Sequence, residues 1–228
     1  MEIEKDLKAL SNPERAKMSA GYFKTGKGEY GEGDVFLGLT VPQQRVIAKK
    51  YAHADLSTID TLMKSNIHEH RFTALEILVM KFETAGEAER KEILDFYLKH
   101  TASVNNWDLV DTSAPYIVGE YLLDNDRAIL HKLAKSKNIW ERRIAIVATF
   151  AFIRNNDFKD TLKLSEILLT DSHDLIHKAV GWALREVGKK NQTEEENFLR
   201  KFYKQMPRTM LRYAIERFDA KKKIFYMK

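Results

Sequence analysis

Trp107 and Asp111 stand four residues apart in Trp107-Asp108-Leu109-Val110-Asp111. On a helix that spacing puts both side chains on one face. A carboxylate one turn from a large aromatic can stabilise a cation, and the aromatic can cover a flat or sugar-like group beside it. A second tryptophan lies in Lys178-Ala179-Val180-Gly181-Trp182-Ala183-Leu184-Arg185-Glu186. At 100° per residue, Ile176, Val180, Ala183, Leu184 and Val187 form one apolar arc. Trp182 falls opposite, in a stripe with Lys178, Arg185 and Lys189. Core packing does not put a tryptophan there. The stripe suits a flat group or a sugar attached to phosphate, although charged stripes are usually only solvated faces.

The elements that must position these residues are helical. Four prolines, ten glycines and abundant Leu, Ile, Ala, Lys and Glu leave little room for a sheet. Helical periodicity runs roughly over 42–53, 69–84, 87–99, 107–123, 138–153, 157–169, 173–189, 193–204 and 207–217. Ser136-Lys137-Asn138, Thr170-Asp171-Ser172 and Gln192-Thr193 supply start signals between them. Residues 25–35 form the one real interruption, and four of the ten glycines fall there. It reads as a flexible surface loop and matches no phosphate-binding fingerprint. Residues 219–228, with Lys221, Lys222 and Lys223, read as a basic tail.

A weak repeat is visible. A basic residue leads an apolar helical stretch at Arg71, Arg143, Lys178 and Arg212, with offsets of 72, 35 and 34 residues. Paired antiparallel helices of about that length build HEAT-like solenoids, whose second helices line a concave face. The expected architecture is therefore all-α: one HEAT-like solenoid of antiparallel helix pairs over 1–228, with a basic concave groove.

Composition narrows the chemistry. Lys and Arg number 38 against 33 Asp and Glu, a net charge of +5, which tilts the choice toward a polyanionic partner. The absence of cysteine excludes disulfides, thiolate nucleophiles and Cys-ligated metals. The charged N-terminus predicts no signal peptide, and no apolar run has the length of a membrane span. A cytoplasmic monomer without membrane contact or obligate protein partner is expected. His173 and His177 have a spacing that can bind metal, but no third ligand is evident, so no metal is assigned. His68 and His70 are read as local to a helix start.

The blocks Trp107-Asp108-Leu109-Val110-Asp111, Asn138-Ile139-Trp140-Glu141-Arg142-Arg143 and Lys178 to Glu186 together resemble the AlkD family of DNA alkylation repair glycosylases. Tyr22, Phe36-Leu37-Gly38-Leu39, Pro42 and Arg45 extend the likeness toward the N-terminus. The resemblance implies a HEAT-like fold that holds duplex DNA and hydrolyses the N-glycosidic bond of cationic alkylpurines, such as 3-methyladenine and 7-methylguanine. No cofactor is implied. Asp111 is similar to the catalytic carboxylate. Trp107 and Trp182 match the pair that brackets the deoxyribose, and Arg143 the arginine that completes the pocket and holds the backbone. Arg143 also reads as a buried ion-pair partner. Tyr22 matches a tyrosine near the lesion. Lys178, Arg185, Lys189 and Arg212 would meet phosphates. Asn106 departs from the pattern, standing where some members have another aromatic. Trp140, on a helix apolar nearly all round, is expected in the core. The alternatives are a helical-repeat module that binds DNA or lesions without excision, and a protein–protein scaffold.

Overall fold

The computed structural model describes residues 1–228. It is all-α; its only β feature is an isolated bridge between Val35 and Ile67. The chain divides into two compact units, Met1–Ile117 and Val118–Lys228.

The first unit holds α1 (Glu2–Ala9), α2 (Pro13–Tyr22), α3 (Val41–Lys50), α4 (Leu56–Met63), α5 (His68–Thr84), α6 (Glu87–Lys99) and α7 (Trp107–Ser113). Helix α5 is its centre. Every residue from 68 to 78 is buried, so α3, α4 and α7 pack around it on different sides. Its buried polar residues therefore need partners. Glu69, only 1% exposed, accepts from the backbone N–H groups of Leu37 (2.9 Å), Gly38 (2.8 Å) and Leu39 (3.2 Å). Gly38 has φ +84°, and a Cβ there would sit 2.2 Å from the Asn12 carbonyl oxygen. The Phe36-Leu37-Gly38-Leu39 block thus needs its glycine for both reasons.

The second unit holds α8 (Ala128–Leu133), α9 (Ile139–Ala148), α10 (Phe150–Arg154), α11 (Lys159–Ile167), α12 (Asp174–Lys190), α13 (Gln192–Phe202), α14 (Arg208–Ala214) and α15 (Ala220–Met227). Helix α12 is amphipathic, with Ile176, Ala179, Val180, Ala183, Leu184 and Val187 buried. It packs against α9, α13 and α14. A Cβ at Gly181 would fall 2.4 Å from the Met210 carbonyl oxygen, so only glycine lets α14 approach this closely.

Several sequence expectations need correction. The helix expected over 107–123 ends at Ser113, and a π-helical turn follows over Pro115–Gly119. Pro115 has no N–H to give to the Asp111 carbonyl, so the helical ladder cannot run on. The helix expected over 138–153 breaks at Thr149, whose hydroxyl bonds back to the Ile146 carbonyl at 2.7 Å. The basic tail is helix α15. Asp219 caps it through the Lys222 N–H, and Tyr226 is buried. The glycine-rich segment is closely tied. Gly26 and Gly28 donate to Glu29 and Glu32, and Gly31 donates to the Lys24 carbonyl at 2.9 Å. Helices α5, α9, α12 and α14 begin at 68, 139, 174 and 208, close to the spacing of the basic residues.

Candidate functional site

In the first unit the site residues gather on the short helix α7. Asn106, fully buried, accepts from the Trp107 N–H through Oδ1 at 2.9 Å and so starts the helix. What departs from the expected aromatic is a structural cap. Three further contacts fix α7. Asp108 meets His68 Nε2 at 2.8 Å, the Thr112 hydroxyl donates to Glu76 Oε1 at 2.6 Å, and Tyr97 and Ser113 share a hydrogen bond of 3.0 Å. Glu76 also receives Arg45 Nε at 3.2 Å. Trp107 and Asp111 are both half-buried on the helix that these contacts hold. Burial pushes the Tyr97 phenol well up; the Ser113 hydrogen bond opposes the rise and the charge of Asp111 adds to it.

The Trp107 ring ends an aromatic stack. It lies on Phe23 at 5.3 Å between centroids and 21° between planes, and Phe23 lies on Phe36 at 5.1 Å and 13°. Tyr22 meets Trp107 edge-on at 5.9 Å. Tyr22 itself is 66% exposed, at the end of α2, a helix with no buried residue. The unit therefore brings Tyr22 and Trp107 into contact, with Asp111 one turn further along α7.

His68 does stand at a helix start, as the first residue of α5, but its role there is not local. Its imidazole is only 3% exposed and lies between two carboxylates, with Nδ1 3.2 Å from Asp34 and Nε2 2.8 Å from Asp108. Arg71 Nη2 is 2.7 Å from the same Asp34. Burial alone would lower the imidazole pKa, but the charge and hydrogen bonds of Asp108 and Asp34 outweigh it and raise it to about 9. Burial opposes ionisation of Asp34 too, yet the His68 bond and the Arg71 charge hold its carboxyl below the usual range. The partners of His68 are 34 and 40 residues away in the chain, so spacing carries no sign of the cluster.

In the second unit, Trp182 is half-buried on the polar side of α12. Its ring rests against Phe150 at 4.4 Å and 51°, and its indole N–H donates to Glu186 at 3.2 Å. The basic stripe is present, but it is not a bare positive surface. Lys178 pairs with Asp174 at 2.6 Å, Lys189 with Glu186 at 2.6 Å, and Arg185 with Glu216 and, at 3.5 Å, Glu186. Asp174 and Glu186 were visible at i−4 and i−3 spacing from these lysines. Counting the cations alone overstated the charge. Arg143 on α9 is 5% exposed, and its Nη1 donates to the Leu175 carbonyl at 2.7 Å, at the start of α12. Arg212 on α14 is exposed. Trp140 is in the core at 6% exposure, as expected. The ring nitrogens of His173 and His177 make local bonds, His173 Nδ1 accepting from the Leu175 N–H and His177 Nε2 meeting the Asp171 carbonyl.

The family model for DNA alkylation repair enzymes matches residues 3–218. The chain belongs to that family. No curated protein sequence matches it. Among solved structures, this DNA alkylation repair family member is similar to one described as a predicted DNA alkylation repair enzyme from Enterococcus faecalis. Its TM-score is 0.74 at 18% identity, over 92% of this chain and 97% of that one. AlkD2 from Streptococcus mutans superposes with a TM-score of 0.56 at 20% identity, over 96% and 97% of the two chains. At these identities the likeness is one of fold, and the all-α fold agrees with it. A DNA repair role and an enzymatic one follow from the family. No helix is long and apolar enough to cross a membrane.

Proposed function

We propose that this DNA alkylation repair enzyme is a monofunctional glycosylase. Its substrates are cationic alkylpurines in duplex DNA, 3-methyladenine and 7-methylguanine among them. The observation that carries this reading is Asp111 on the rigidly anchored helix α7, one turn from a half-exposed tryptophan that caps an aromatic stack. Alkylation at N3 or N7 puts positive charge on the purine. The glycosidic electron pair can then leave with the base and neutralise it, so no general acid is needed. The sugar left behind becomes oxocarbenium-like. A fixed carboxylate stabilises that cation, and groups of this kind supply about 3 kcal/mol by mutational loss. Asp111 also orients the water whose oxygen forms the new bond to C1′ and accepts its proton. An aromatic face beside a cationic sugar adds about 0.5–2 kcal/mol, and Trp107 or Trp182 can supply one. Arg143 holds the backbone, Tyr22 stands near the lesion, Lys178, Arg185 and Lys189 exchange their carboxylate partners for phosphates, and exposed Arg212 meets phosphate as well. The chemistry uses no metal or cofactor.

The test is single-turnover incubation with a duplex carrying 7-methylguanine, with released base measured by chromatography. Free 7-methylguanine is the expected product, with the sugar-phosphate backbone uncut. Tight binding without release would leave a lesion-binding module, and neither binding nor release would leave a scaffold.

A further inference from the structure

The most heavily charged buried place in the first unit is one that the proposed chemistry does not use. His68, Arg71 and Asp34 have side chains 3–4% exposed, and Asp108 is 15% exposed. Buried ion networks contribute little net stability, because desolvation costs about as much as attraction returns. What such a network can do is fix geometry, and this one converges on the neighbour of Trp107. One Asp108 oxygen takes His68 Nε2 and the other accepts from the Leu109 N–H at 2.9 Å, which clamps the first turn of α7. The imidazole also stacks on Phe36 at 4.6 Å and lies tilted against Phe23 at 5.0 Å, the ring on which Trp107 lies. His68 thus reaches Trp107 twice, through the backbone by way of Asp108 and through the rings by way of Phe23.

We infer that His68 is a positioning residue, which sets the orientation of Trp107 and, through the first turn of α7, the aim of Asp111. The catalytic half of this inference rests on the glycosylase reading; the geometric half does not. Both ring nitrogens face carboxylate oxygens, so the bridge needs both N–H groups and hence the imidazolium form. The groups that face the ring are Asp34 from the segment before α3, Asp108 from α7, Arg71 from its own helix, which opposes the charge, and the uncharged Phe23 and Phe36. With a pKa of about 9 the bridge is intact throughout the neutral range. It loses one bond when the pH rises past that value.

Fluorotryptophan-labelled protein, with the Trp107 signal assigned from Trp107→Phe, gives a direct readout by fluorine NMR. In the wild type that signal should titrate with a midpoint near 9. In His68→Gln the titration should vanish. Single-turnover excision should then fall about ten- to a hundredfold, the scale of a mis-aimed catalytic group, while affinity for the methylated duplex changes by less than about threefold. A Trp107 signal and an excision rate unchanged in His68→Gln would overturn the inference. Should His68→Gln fail to fold, Asp108→Asn carries the test. The variant keeps an acceptor and removes a charge, so the midpoint should drop by about one pH unit. A midpoint that does not move refutes the bridge. If the wild type releases no base, the glycosylase reading fails by itself, and the fluorine titration still decides what His68 does.

Discussion

Trp107 and Trp182 are both half-buried, yet the protein holds them by different means. Trp107 begins a seven-residue helix that is too short to be stable alone. Its place is set by tertiary contacts: a buried asparagine cap, an imidazolium between two carboxylates, and a stack of rings from distant segments. Trp182 rides on a seventeen-residue amphipathic helix whose apolar face packs on several neighbours, α9, α13 and α14 foremost. Its polar surroundings are local, made by residues three and four positions away. One aromatic is aimed by the core and the other is carried on a surface. The first should tolerate little disturbance and show it in rate, whereas the second should show it weakly and in binding.

The sharpest way to break the contrast is at the carboxylate beside Trp107. Asp111→Asn is nearly isosteric and should lower single-turnover excision about a hundredfold while leaving DNA binding intact. Wild-type rates in that variant would remove Asp111 from the chemistry. Trp107→Ala should cost about tenfold in the same assay, because the ring and its stack go together. Trp182→Ala should cost only about two- to threefold. A reversed order would mean that the surface helix does the aiming.

Stability against pH sharpens the contrast in each unit separately. The folded-state pKa of His68 is about 9, above its ordinary 6.5. Its contribution is therefore complete below pH 6.5, declines above it and is lost as the pH passes 9. Glu195 on α13 obeys the same sign. Burial first, then the charge of Glu196, raises its carboxyl to about 8. Folding favours the protonated form, and that advantage fades between pH 4.5 and 8. Glu195→Gln mimics the protonated state and should raise the Tm at pH 8 while leaving the Tm at pH 4 nearly unchanged. Thermal melts of the two proteins at both pH values check this. The smallest effect should come from Lys178→Ala, which should weaken undamaged and methylated duplex alike, by less than about threefold at 0.15 M salt.

The same contrast explains what the sequence could tell. Helix α6 was legible to the residue at 87–99, and α12 to within one residue of 173–189, because an apolar arc repeats along each. Helix α2 escaped because it buries no residue and so has no periodicity, and α8 because it has only six residues. Pro115 was in view, but an apolar run across it read as one helix. At the candidate site, spacing showed that Trp107 and Asp111 share one helix and that Trp182 stands off the apolar arc of α12; the roles proposed for them came from the resemblance. The partners that aim Trp107 were not legible, because Asp34, His68 and Asp108 meet only in the folded chain. Asn106 stood in the cap position and was read as a departure from an aromatic rather than as the residue that starts α7.

The ion pairs along α12 bear on how this repair enzyme meets DNA. A lysine in water that takes a phosphate sets free the cation condensed on that phosphate, and this release makes binding sensitive to salt. On the proposed reading, Lys178, Arg185 and Lys189 would first give up Asp174, Glu186 and Glu216. Each freed carboxylate then recruits a cation from solution, so fewer small ions are released overall. Affinity should consequently fall less steeply with salt than the number of cations on this face would suggest. These carboxylates act as counterions built into the chain. If this face meets duplex as proposed, they would loosen the grip on ordinary duplex, and a protein that must pass over long undamaged stretches before it reaches a lesion would gain speed from a loose hold.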